Sequence, residues 1–179
     1  MEASSSIAGV PRGAQKICGG DIMENHQEIG EVAIIYHSQT GHTLALAEAA
    51  AEGVTANSSL TAKLYRALDT PLEVLTVARA IIFATPENFG TMSGGLKDFF
   101  DRTFYPAEPL QLNKPYAVLI SAGNDGRGAL RDIERIAKGY PLRKAAEAVI
   151  VRGNVTQHDK IRAHELGGAL ACGSELGIF

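Results

Sequence analysis

Three stretches of this chain combine residue types and spacing suited to chemistry. The first is Ser38-Gln39-Thr40-Gly41-His42-Thr43, three hydroxyls and a glycine set between an apolar run and an Ala-rich segment with helical spacing. A helix N-terminus presents unpaired backbone N–H groups and a partial positive charge, which together attract anions. The hydroxyls of Ser38, Thr40 and Thr43 add donors, and Gly41 lets the backbone curl around the anion. A helix cap needs only one hydroxyl, so the excess points to a phosphate. No Lys or Arg lies in the loop; oriented dipoles, rather than charge, are expected to hold it.

The other two stretches also follow apolar runs. Thr85-Pro86-Glu87-Asn88-Phe89-Gly90-Thr91-Met92 carries an aromatic at what reads as a loop tip, and Ser121 to Gly128 has three glycines in eight residues. Those glycines suit close backbone approach to a ligand, but not at GxGxxG dinucleotide spacing. Rival chemistries lack their residues. No GxxxxGK[ST] or Gly-x-Ser-x-Gly occurs, the five histidines form no HxxxH pair, and strands 1 and 3 end without the acids that hold a metal in receiver domains. His37 and His42 are expected to contribute backbone groups.

The elements that must position these loops are legible from periodicity. Short apolar runs at Val32–Tyr36, Ala80–Ala84, Tyr116–Ile120 and Ala148–Val151 suit strands buried on both faces, and Leu60–Ala67 alternates like a strand. Helices are expected over Leu44–Val54, Pro71–Ala78, Ser93–Phe104, Ala129–Lys138 and Gln157–Cys172. Five strands alternating with five helices predict an α/β three-layer sandwich around a parallel sheet. Ligands of such sheets bind at the carboxyl ends of the strands, where all three loops fall.

On these residues the sequence resembles a family. Ser38-x-Thr40-Gly41-x-Thr43 after an apolar strand is similar to the FMN-phosphate loop of flavodoxins, with His42 where flavodoxins often carry Asn. The Thr85–Met92 loop followed by Leu96-Lys97-Asp98-Phe99-Phe100-Asp101-Arg102 resembles the flavin segment of FMN-dependent NAD(P)H oxidoreductases, including the NAD(P)H:quinone oxidoreductases of the tryptophan-repressor-binding-protein type and NADPH-dependent FMN reductases. The resemblance covers roughly residues 31–175. It implies a flavodoxin-like five-stranded parallel sheet of order 2-1-3-4-5. It further implies FMN held by residues 38–43, by Pro86, Glu87, Asn88, Phe89, Gly90 and Thr91, and by Ser121, Ala122, Gly123, Asp125 and Gly126.

Beside that resemblance the residues take physical roles. Phe89 offers a flat wall for the isoalloxazine, Pro86 and Gly90 shape a turn aimed at its N5 and O4 edge, and Arg127 stands near its N1. Asp125 has the alternative task of capping the next helix. Phe99, Phe100 and Phe104 are expected in the core or in subunit contacts. Flavodoxin carriers sandwich the flavin with a second aromatic in the third loop, and are strongly acidic. Here that loop has no aromatic, and residues 31–179 hold 16 acids against 15 bases. The expectation is therefore an oxidoreductase passing electrons from NAD(P)H to a quinone or similar small acceptor. The alternative is a one-electron carrier docking on a redox partner protein, and a third reading is a flavin module without activity.

Composition sets the outer bounds. The chain has 179 residues, 45% hydrophobic and 21% charged, with a formal net charge of −3. That fits a soluble globular domain, offers no basic footprint for nucleic acid, and contains no apolar run of membrane-spanning length. Charge is uneven: residues 1–101 hold 12 acids and 6 bases, residues 102–179 hold 8 acids and 11 bases. Residues 1–29 read as a loose tail ahead of a domain over 30–179, and translation from Met23 is an alternative start. Cys18 and Cys172 suggest neither zinc nor a disulfide framework, which suits a reducing, cytoplasmic setting. A homodimer or homotetramer is implied by the resemblance alone.

Overall fold

The computed structural model describes residues 30–179; the expected tail, the Met23 start and Cys18 lie outside them. In chain order the elements are β1 (Glu31–Tyr36), α1 (His42–Asn57), β2 (Thr61–Arg66), a 3-10 turn (Ala67–Asp69), α2 (Glu73–Val77), β3 (Ala80–Asn88), β4 (Thr91–Met92), α3 (Gly94–Ala107), β5 (Pro115–Ala122), α4 (Arg127–Ala137), β6 (Arg143–Lys144), β7 (Val149–Arg152) and α5 (Gln157–Glu175). The strand order is β2-β1-β3-β5, with β6 and β7 both beside β5. All pairings are parallel except β3 with β4.

This is the expected 2-1-3-4-5 order with two differences. The fifth strand position is split. Tyr116 pairs with Lys144 and Leu119 with Val149, so four residues on the edge oppose two on β5, and the ladder breaks between β6 and β7. Edge strands commonly carry such bulges, which spoil them as templates for further pairing. The other difference is that Thr85–Asn88, expected in a loop, extend β3 and fold back through Phe89-Gly90 into β4.

Continuous apolar strands require cover on both faces, and the sheet has it. Val32 and Ile34 pack into one layer with α1 and α5, while Ala33 and Ile35 face α3 and α4 in the other. The α1–α5 layer is drawn tight by small residues: a Cβ at Gly53 would lie 1.9 Å from the His164 carbonyl oxygen. The opposite layer is aromatic. Phe83, Phe99, Phe100 and Tyr140 are buried with ring centroids 4.9–6.5 Å apart along the cluster, so Phe99 and Phe100 are core residues as expected.

Tyr140 closes that cluster with a polar tip. Its hydroxyl donates to the Phe100 carbonyl (3.0 Å) and lies 2.9 Å from Thr103 Oγ1. Burial pushes the phenol up to about 12 from an ordinary 10. A raised value means the folded state holds the proton more tightly. The associated stability, about 2–3 kcal/mol at ~1.4 kcal/mol per pH unit, is fully present below pH 10 and is lost as pH rises through 12. Urea titrations should show stability dropping between pH 10 and about 12. In Tyr140→Phe that drop should shrink, from a baseline already lower by about 1 kcal/mol for the lost hydrogen bonds.

Candidate functional site

The loop after β1 opens onto the N-terminus of α1. Gly41 sits at φ +90°, a left-handed conformation that disfavours any side chain, and its N–H donates to Ser38 Oγ (3.2 Å). The first intrahelical bond runs from Ala45 N to Gly41 O (2.9 Å). The N–H groups of His42, Thr43 and Leu44 therefore precede the helical ladder, and no side chain caps them. Nothing stands within 4 Å of where a Gly41 Cβ would be. The result is an open cradle of backbone donors at the positive end of a 16-residue helix.

Of the three hydroxyls, Ser38 is used to shape the turn and Thr43 is buried, 2.8 Å from Ser121 Oγ. Thr43 thus joins the first and third loops. Thr40 is exposed and makes no hydrogen bond among the described residues. A cation that sequence reading missed stands beside this loop. Arg66, paired with Tyr36 at the ends of the β1–β2 ladder, lines a groove of about 310 Å³ together with His37, Ser38, Gln39 and Gly41. Its only signal was its place at the end of the second strand, which becomes meaningful once β2 is known to lie next to β1. Burial, then Arg66, holds His37 below the ordinary histidine value, so its ring is neutral at pH 7. That ring rests on α3, where a Cβ at Gly95 would lie 2.4 Å from it.

The second group lies on the β3–β4 hairpin. Asn88 Nδ2 donates to Gln39 Oε1 (3.1 Å), bringing the hairpin against the first loop across the β1–β3 crevice. Phe89 and Gly90 form the tip with φ of 53° and 75°, and the Phe89 ring is fully exposed. Glu87 turns the other way. Its carboxylate accepts from the N–H groups of Gly126 and Gly128 (3.1 Å each) and Ala129 (3.4 Å), the first turn of α4. Thr91 donates to Asp132 on α4 (2.7 Å), and that bond, with Arg131 and Arg135 nearby, holds the Asp132 carboxyl below the usual carboxylate range. Glu87 and Thr91 therefore anchor the hairpin; both are occupied by protein.

In the third loop Ser121 and Ala122 are buried at the end of β5, Gly123 and Asp125 are exposed, and Gly126 begins α4 at φ +71°. A Cβ there would lie 2.4 Å from Ile150 Cγ2, so Gly126 serves packing, whereas Gly123 faces open space. Asp125 Oδ1 accepts from Arg127 N (3.1 Å), the capping task considered for it. Arg102 braces the groove from behind, its guanidinium donating to the carbonyls of Ala67 (2.8 Å), Leu68 (3.2 Å) and Thr70 (3.2 Å).

Two expected outcomes test this scaffold. Glu87→Gln keeps one acceptor oxygen but loses the charge at the helix terminus; unfolding free energy should fall by about 1–2 kcal/mol in urea titrations. Arg102→Ala strips three carbonyls of their donor and should cost about 2 kcal/mol by the same measurement, with Arg102→Lys recovering less than half because its ammonium lacks the planar fork.

Comparison with known proteins agrees with this architecture. Over 80% of the chain superposes on a WrbA-like flavodoxin from Agrobacterium tumefaciens (TM-score 0.70, 23% identity, covering 82% of this chain and 98% of that one). An archaeal flavodoxin gives a TM-score of 0.69 at 22% identity, covering 81% and 99%. The fold is flavodoxin-like.

Sequence comparison narrows the class. Residues 67–145 match the family model of NADPH-dependent FMN reductases. A NAD(P)H dehydrogenase (quinone) of Acidithiobacillus ferrooxidans is 33% identical over 95 residues, covering 42% of this chain and 48% of the relative, and one of Solidesulfovibrio magneticus is 35% identical over 96 residues, covering 40% and 47%. The chain spans about half the length of the curated relatives it matches. The chain thus combines a flavodoxin-like fold with partial sequence similarity to NADPH-dependent FMN reductases and to NAD(P)H dehydrogenases (quinone). No helix among the described residues is long and apolar enough to cross a membrane.

Proposed function

We infer that this chain is an FMN-dependent oxidoreductase that takes electrons from NAD(P)H and passes them to a quinone or similar small acceptor. The observation that carries the reading is the cradle at Gly41: backbone donors ahead of the α1 ladder, with open space where a side chain would stand. Backbone N–H groups and the Thr40 hydroxyl suit a phosphate monoester, and Arg66 supplies the positive charge that the loop lacks. FMN, when bound, supplies the electron chemistry, accepting two electrons from a nicotinamide and releasing them to an acceptor.

The chain's own residues position and exclude. The cradle fixes the phosphate, the Thr43–Ser121 bond holds the first and third loops in register, and the Glu87 anchor sets the hairpin height above the crevice. Gln39 and Asn88, hydrogen-bonded across the crevice, offer amide donors and acceptors to the polar edge of the isoalloxazine. Pro86 and Gly90 orient the hairpin backbone, and the exposed Gly123 admits close approach from the third loop. No side chain is assigned an acid–base role. The third loop has no aromatic to cover a second flavin face, leaving room for a nicotinamide or quinone to stack. That favours the enzyme over the one-electron carrier.

The test is spectroscopic. Protein mixed with FMN should retain the yellow colour through gel filtration, lose it on anaerobic addition of NADPH, and regain it with a quinone. Colour retained under NADPH would move the assignment to the electron carrier, and colour lost in gel filtration would refute FMN binding. The homodimer or homotetramer suggested by the resemblance is measured by sedimentation velocity on the same sample.

A further inference from the structure

The outer side of the β3–β4 hairpin, away from the phosphate loop, carries a second cleft. It measures about 400 Å³ and is bounded by Phe89 and Met92 on the hairpin, Lys97 on α3, and Arg135 and Ile136 on α4. That volume falls in the range of small-molecule sites, roughly 300–1,000 Å³. Phe89 is its most unusual wall. An aromatic residue at φ 53° next to Gly90 at 75° makes the two-residue hairpin turn, a left-handed conformation that is unfavourable for a residue with a side chain. Its ring is fully exposed, so packing in the fold does not offset that cost. A flat apolar ring held out over a cleft suits stacking against another flat ring.

Two of the remaining walls are cations, Lys97 and Arg135, and one is the Asp132 carboxylate. Arg135's guanidinium lies 3.8 Å from Asp132 and makes no hydrogen bond among the described residues, leaving its planar fork of donors available. Asp132 is shared among Thr91, Arg131 and Arg135, so it neutralises neither arginine alone. Lys97 pairs with Asp101 one turn along α3. The helix itself is biased: residues 127–138 hold four bases (Arg127, Arg131, Arg135, Lys138) against two acids (Asp132, Glu134), and the bases recur at helical spacing on its exposed face. A stacking ring beside an arginine fork and a lysine suits a compact ligand that carries both an aromatic base and a phosphate.

We propose that this cleft receives the adenosine 2′-phosphate end of NADPH, with Arg135 and Lys97 on the 2′-phosphate and with Phe89, expected from the sequence to wall the isoalloxazine, set against the adenine instead. The proposal rests on the reading of the chain as a nicotinamide-dependent oxidoreductase, and it makes the cleft the element that selects NADPH over NADH. Asn88 borders the cleft and also reaches Gln39 on the phosphate loop. A dinucleotide laid over the hairpin therefore touches both sides of it, placing its other end toward the crevice. An acidic protein would use the same cations but has no need of a concave site walled by an aromatic ring.

The experiment is calorimetric titration of the full chain, with and without FMN, using adenosine 2′,5′-bisphosphate and, as control, adenosine 5′-monophosphate. The bisphosphate should bind at least tenfold more tightly in both conditions. Arg135→Gln, Arg135→Glu and Lys97→Glu should each cut that preference to threefold or less, while Phe89→Ala weakens both nucleotides about equally. Equal affinities in the unmutated chain, or a preference that survives all three charge changes, would overturn the proposal. Binding of an acidic polypeptide with no nucleotide discrimination would also overturn it, as would dimerisation that blocks the nucleotides. The parent reading fails separately: if NADPH leaves bound FMN oxidised while the bisphosphate preference holds, the reductase assignment falls and the cleft stands. Bleaching by NADPH and NADH at the same KM, unchanged in Arg135→Glu, sinks the cleft alone.

Discussion

Gly41→Val should lower FMN affinity by at least a hundredfold, measured by titrating FMN fluorescence against protein. At φ +90° a β-branched side chain forces the loop toward an ordinary conformation, which swings the N–H groups at the start of α1 away from a common focus. Whatever part of the turn survives would aim the new methyl groups into the space that the structure leaves open at Gly41. A hundredfold loss corresponds to ~2.7 kcal/mol, comparable to two or three hydrogen bonds to a charged phosphate. Thr40→Ala removes one exposed hydroxyl and should lose about tenfold. Unchanged affinity in both variants would remove the first loop from the site.

The second large effect concerns a glycine that touches no proposed ligand. In Gly128→Ala the new Cβ would lie 1.9 Å from the Gly90 carbonyl oxygen, and backbone atoms cannot yield as a flexible side chain does. Either the hairpin tip or the first turn of α4 must move, and the Glu87 carboxylate binds across that same contact to Gly126, Gly128 and Ala129. Overpacking of this kind costs typically 1–3 kcal/mol, and losing charge-assisted bonds adds to it. The expected result is an unfolding free energy lower by about 3 kcal/mol with weakened FMN binding. Gly123→Ala, where the structure shows open space, should change stability by less than 0.5 kcal/mol and serves as the control. Equal stability losses at Gly123 and Gly128 would refute the close approach of hairpin and helix.

Much of this molecule is legible in its sequence. The apolar runs at residues 32–36, 80–84 and 116–120 are buried strands because only a sheet covered on both faces accepts four or five successive apolar residues, and each is buried as expected except for the half-buried Tyr36. The α1 cradle was equally legible, since a hydroxyl- and glycine-rich loop between strand and helix defines a helix N-terminus locally. Periodicity and capping act over a few residues, so one sequence suffices to reveal them.

What the tertiary structure decided acts between residues far apart in the chain. Glu87 looked like a ligand-facing residue of a loop; parallel packing of β3 and β5 brings it to residues 126–129, where unpaired helix N–H groups attract its charge. At Gly126 and Gly128 it is Ile150 and Gly90, distant in the chain, that leave no room for a side chain. Arg66 gained meaning only from lying opposite Tyr36 across the sheet, and the fifth strand lost its continuity to a bulge that no local pattern in residues 143–152 announces. Local propensity and hydrophobic periodicity are short-range properties of the chain and so belong to the sequence. The direction of a charged side chain, and the space left for a glycine, depend on neighbours that only the folded topology brings together.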